Sequence, residues 1–188
     1  MQRYLAALMI VLAIAIVLTR VVLMKRRGIT AMKFGAIDKK DFLIPPFAFL
    51  YFYLICAAAF GLPSVAGGGL FHSDSAGWLG IVSCCAGLSI LLWSLISFGW
   101  SFRIGIDTDQ PDRLITTGVF AHSRNPIYVA FALVLVGEFL VFPYWPFLAY
   151  LIAGIWLFHR QVLLEERFLI GHYGQQYQKY CKRVRRYF

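Results

Sequence analysis

Two short polar clusters carry the residue types from which chemistry can be built. One is Arg124-Asn125-Pro126-Ile127-Tyr128; the other runs from His159-Arg160 to Glu165-Glu166. A guanidinium and an amide can hold a carboxylate through charge-assisted hydrogen bonds. Carboxylates can hold an ammonium, and a tyrosine ring can stabilise a cation over its face. His122 adds an imidazole beside the first cluster. Arg160 serves either as a headgroup anchor or as the planar fork that grips a substrate carboxylate. None of this works unless the two clusters meet, and they lie far apart in sequence.

The elements that must bring them together are apolar. Of 188 residues, 60% are hydrophobic and 14% charged, and mean hydropathy is +0.70. Soluble domains carry about a quarter charged residues, so the composition predicts an all-α, polytopic transmembrane bundle. A span needs about 20 mostly apolar residues. Tyr4–Met24, Ile44–Leu62 and Trp78–Phe98 supply three, and Ile127–Phe142 and Trp145–Phe158 supply two shorter ones. Lys25-Arg26-Arg27 follows the first run in place of a small-residue cleavage site, so that run reads as a retained helix. Pro143 and Pro146 break the last apolar stretch, making its halves an antiparallel hairpin. That hairpin carries both polar clusters to one mouth, and the loop Asp107–Ser123 must lie over it. Converging polar groups beside an apolar bundle are the default site in a membrane protein.

Orientation follows from lysine and arginine placement. Lys25–Asp41 holds six basic residues, Ser101–Arg124 three, and the tail from Arg160 seven, whereas Gly61–Gly77 has none. The site mouth is therefore expected to face the cytoplasm. The net charge of +9 matches anionic headgroups. Nucleic-acid binding is disfavoured because the basic residues are split among three membrane-proximal segments. Beyond Glu166, Tyr173, Tyr177, Tyr180 and Val184 recur at helical spacing among basic residues, which predicts a C-terminal amphipathic helix. Glu138, the one acid inside a span, is expected to be structural because it lies near the end opposite the site. Cys56, Cys84, Cys85 and Cys181 show no C-x-x-C spacing, so neither a disulfide framework nor a metal site is indicated.

Leu114-Ile115-Thr116-Thr117-Gly118-Val119-Phe120, Arg124-Asn125-Pro126-Ile127-Tyr128, Glu165-Glu166, Tyr173-Gly174-Gln175-Gln176-Tyr177 and Tyr180 occur in an order and at intervals that resemble the C-terminal half of the isoprenylcysteine carboxyl methyltransferase family. Phospholipid methyltransferases share the pattern. The resemblance covers roughly Trp100 to Arg186 and implies an S-adenosylmethionine-dependent membrane methyltransferase that releases S-adenosylhomocysteine. It implies that the cofactor is enclosed by three parts of the chain. These are the loop with Arg113, Leu114, Ile115, Phe120 and His122, the segment Arg124, Asn125, Pro126, Ile127 and Tyr128, and Glu165. Residues 100–188 would then form the cofactor half and 1–99 the substrate side of one structural domain. The family usually has histidine where this chain has Asn125, which keeps a donor and an acceptor but cannot shuttle a proton.

The residue types suit that cofactor independently. Glu165 can take its ammonium, Arg124 or Asn125 its carboxylate, Leu114, Ile115 and Phe120 its adenine, and Tyr128 its sulfonium. Of Glu165 and Glu166, which point to different faces of a helix, one is expected to serve the site and the other to pair with a tail arginine. The expected acceptor is the carboxylate of a lipid-like or prenylated cysteine substrate, oriented by Arg160; it needs no general base because it is already ionised at neutral pH. A phospholipid amine is the alternative and would need a base, with Glu165, Glu166 or His122 as candidates. Sterol reductases resemble the same region but usually carry Arg-Asp-Glu where this chain has Leu164-Glu165-Glu166.

Overall fold

A computed structural model describes residues 1–27, 44–62, 69–99 and 114–188. The elements are α1 (Gln2–Arg26), α2 (Ile44–Phe60), α3 (Asp74–Phe98), a 3-10 turn (Gly118–Ala121), α4 (Pro126–Val141), α5 (Trp145–Tyr173) and α6 (Gln175–Arg183). Among the described residues no strand is present, only one isolated bridge between Ser123 and Arg185. All five expected spans are helices. α1, α3 and α5 are long and apolar enough to cross a membrane, while α2 and α4 are shorter apolar helices. The outward faces are apolar, with Leu8, Val11, Leu18, Leu79, Ile96 and Ile152 all exposed. Water would not tolerate such a belt over a whole bundle, but a bilayer favours it.

α3 starts one turn earlier than the apolar run suggests. Ser73 caps it, accepting a hydrogen bond from the Ala76 N–H at 3.2 Å, and Asp74 sits favourably in the first turn.

The tightest seam joins α3 to α4. A Cβ on Gly80 would lie 2.6 Å from the Gly137 carbonyl oxygen, and one on Gly87 would lie 2.7 Å from that of Ala130. Small residues let the two backbones approach to van der Waals distance, the main attraction available between helices in lipid. Ser83 adds a hydrogen bond to the Leu133 carbonyl at 2.8 Å. Glu138 is fully buried in this seam, with Cys84 Sγ 4.0 Å from its Oε1, at the end of α4 away from Arg124. The seam crosses residue 99, so α3 packs chiefly on the C-terminal half.

α4 and α5 form the expected hairpin. Leu135 lies against Gly154, Phe131 meets Phe158 with ring centroids 6.0 Å apart, Tyr128 bonds Glu165, and Asn125 bonds Glu166. With 29 residues, α5 is about 43 Å long and outruns a hydrocarbon core of about 30 Å. α6 is the expected C-terminal amphipathic helix, with Tyr177 and Tyr180 buried and basic residues outside, but it is shorter than the Tyr173–Val184 spacing suggests. Gly174, at φ +52°, ends α5, and Val184 is already extended.

Candidate functional site

The segment before α4 is fastened to its surroundings on two sides. Gly118 has φ +64°, and a Cβ there would run into the Ser97 side chain. Both facts require glycine. Its neighbour Val119 donates its N–H to Ser97 Oγ at 3.3 Å. Phe120 is buried and packs edge-on to Phe98 with centroids 4.5 Å apart. From the other side Tyr180 donates its hydroxyl to the Phe120 carbonyl at 2.6 Å. Burial raises the Tyr180 phenol to about 12, so it remains a neutral donor through the physiological range. The stabilisation this gives is fully present below the ordinary phenol value near 10, and it is lost as pH rises through about 12. Tyr180→Phe is expected to lower stability by about 1–2 kcal/mol without changing the fold, as measured by thermal unfolding in nanodiscs.

Glu166 is the hub. Its Oε1 accepts from Arg124 Nη2 at 2.9 Å and Asn125 Nδ2 at 3.3 Å. Its Oε2 accepts from Arg186 Nε at 3.0 Å and Nη2 at 2.9 Å. The hydrogen bond to Glu166 raises the Arg186 guanidinium above its ordinary value. The chain beyond α6 runs back over the start of α4. Arg124 N–H donates to the Arg185 carbonyl at 3.0 Å. The Arg186 carbonyl receives Asn125 Nδ2 at 3.1 Å and Ser123 Oγ at 3.4 Å. His159 Nδ1 lies 2.8 Å from the Tyr187 hydroxyl.

Glu165 faces elsewhere. It accepts from the Tyr128 hydroxyl and from Gln161 Nε2 at 3.2 Å, and Phe158 packs on the Tyr128 ring with centroids 5.8 Å apart. The two glutamates therefore divide as the helix geometry requires. One pairs with a tail arginine, and that one is Glu166. Pro126 begins α4 and Ile127 is half-buried behind it. Leu114 and Ile115 are half-buried, and His122 is exposed against Trp93. Arg113 lies outside the described residues. Arg160 is half-buried on α5, five residues before Glu165.

Arg186, Gln161, Ser97 and Ser123 are organising residues that the site motifs did not single out. Gln161 and Glu165 had a legible signal in their i, i+4 spacing. Arg186 had none, because any of several tail arginines could have reached Glu166.

The model of the phospholipid methyltransferase family matches residues 75–176, more than half of the chain, from the start of α3 to the start of α6. No curated protein and no solved structure matches it. The matched segment contains the α3–α4 seam, the hairpin and the Arg124, Tyr128, Glu165 and Glu166 cluster, so the chain belongs to the phospholipid methyltransferase family and is an integral membrane methyltransferase.

Proposed function

We propose that this methyltransferase binds S-adenosylmethionine at the mouth of the α4–α5 hairpin, on the cytoplasmic side, and methylates a carboxylate carried by a lipid-like acceptor such as a prenylated cysteine. When bound, the cofactor supplies an electrophilic methyl group on a sulfonium. The donor set fits its methionine end. Arg124 Nε is buried and has no hydrogen-bond partner among the described residues, which suits it to a carboxylate. Glu165, held by Tyr128 and Gln161, suits the ammonium, and the Tyr128 ring suits a neighbouring cation. Arg160, on the same helix five residues before Glu165, would hold the acceptor's carboxylate.

The observation that carries the choice of a carboxylate is the saturation of Glu166 by four donors. An amine acceptor arrives protonated and needs a base in contact with it. Glu166 is committed to two guanidiniums and an amide, Glu165 already holds two donors, and Asn125 replaces the histidine that could have shuttled a proton. A carboxylate acceptor makes no such demand. The family match itself favours a second reading, a phospholipid amine. Protein in nanodiscs should be given methyl-labelled S-adenosylmethionine with either a farnesylcysteine or phosphatidylethanolamine. Label released as methanol by base from the farnesylcysteine is the expected result. Base-stable label in the phospholipid would overturn the carboxylate reading and leave methyl transfer standing.

A further inference from the structure

We infer that Arg186 is a positioning residue for the cofactor. By saturating one oxygen of Glu166, it keeps the Arg124 Nε edge available for the cofactor's carboxylate. The inference rests on the cofactor reading above but concerns a residue beyond the family-matched segment, which ends at residue 176.

The geometry is that of a shared carboxylate. Glu166 is buried, so each of its oxygens needs donors. Arg186 supplies both donors to Oε2, and Arg124 Nη2 and Asn125 Nδ2 supply those to Oε1. Arg124 is also tied to the tail by its Nη1, which donates to the Cys181 carbonyl at 3.4 Å, and by its backbone N–H on the Arg185 carbonyl. Its Nε is left buried without a partner among the described residues. A guanidinium binds a carboxylate best side-on, through Nε and Nη2 on its two oxygens. Without Arg186, Oε2 becomes a buried acceptor with no donor, and the nearest remedy is for Arg124 to turn until its Nε and Nη2 straddle Glu166. That arrangement satisfies Glu166 and takes Nε away from any ligand. The Arg186 carbonyl, which receives Ser123 and Asn125, ties the same chain segment to the start of α4.

The test compares two ligands that differ only in the carboxylate, S-adenosylhomocysteine and its decarboxylated analogue, by calorimetric titration of the full chain in nanodiscs. Arg186→Ala is expected to weaken S-adenosylhomocysteine about tenfold while leaving the decarboxylated analogue within about twofold. Arg186→Lys should recover most of the loss by returning a charged donor to Oε2. Equal weakening of both ligands would make Arg186 a general scaffold residue and overturn the inference, as would no weakening of either. If the alanine variant does not fold, Arg186→Met, which keeps the side chain's bulk but gives Oε2 no donor, carries the same comparison against Arg186→Lys. Wild-type protein that binds neither ligand would remove the cofactor reading and this inference with it.

Discussion

Glu166→Ala is expected to abolish cofactor binding and destabilise the protein by about 3–5 kcal/mol, whereas Glu165→Gln should fold normally and bind S-adenosylhomocysteine about tenfold to a hundredfold more weakly. The difference follows from what each carboxylate holds. Removing Glu166 leaves the Arg124 guanidinium, only 10% exposed, as a buried charge without its counter-ion. The Arg186 side chain is 39% exposed and can turn to water, so its half of the network contributes less. Asn125 loses the acceptor for one of its two amide bonds. The start of α4, α5 and the chain after α6 then lose their common anchor. Glu165 accepts from one hydroxyl and one amide, and its amide replacement can retain a carbonyl acceptor for Tyr128. Thermal unfolding separates the two variants, and titration with S-adenosylhomocysteine measures binding. A stable Glu166→Ala protein with wild-type affinity would show that the hub holds neither the fold nor the site.

Gly137→Val is expected to remove the folded protein altogether. A Cβ at residue 137 would lie 2.5 Å from the Gly80 carbonyl oxygen and would also run into Cys84 Sγ. The carbonyl is backbone and cannot turn aside, so α3 and α4 must separate. Overpacking a well-packed site costs about 1–3 kcal/mol, and here the valine would open the most extensive helix contact among the described residues. The site is affected too, because α3 carries Ser97 and Phe98, against which the 3-10 turn is built. Gly171→Ala is the matched control. Nothing lies within 4 Å of the added Cβ, and alanine in a helix is favoured over glycine by about 0.5–1 kcal/mol. Size-exclusion profiles of detergent-solubilised protein should lose the monodisperse peak for Gly137→Val and keep it for Gly171→Ala. A monodisperse Gly137→Val protein would mean that the seam yields more easily than its backbone contact implies.

Much of this architecture was legible because a bilayer reduces folding to nearly one dimension. Each apolar run must cross or turn back, so runs and breaks in hydropathy specify the helices. Pro143 and Pro146 make the hairpin unavoidable, and once it exists Arg124–Tyr128 and Glu165–Glu166 must share a mouth. The division of labour between the two glutamates was also legible, since neighbours on a helix point about 100° apart.

Tertiary structure alone decided which glutamate faces which way. The 100° rule separates Glu165 from Glu166 without saying where α4 lies, and Leu135 against Gly154 and Phe131 against Phe158 set that rotation. Likewise, the tyrosine spacing from Tyr173 to Val184 suits one continuous helix, but Gly174 turns the chain so that Tyr180 reaches the Phe120 carbonyl and Arg186 reaches Glu166. Composition and spacing record which faces are apolar and where charge collects. Which buried donor meets which acceptor depends on helix rotation and backbone approach, and those are set by side-chain contacts between segments distant in sequence.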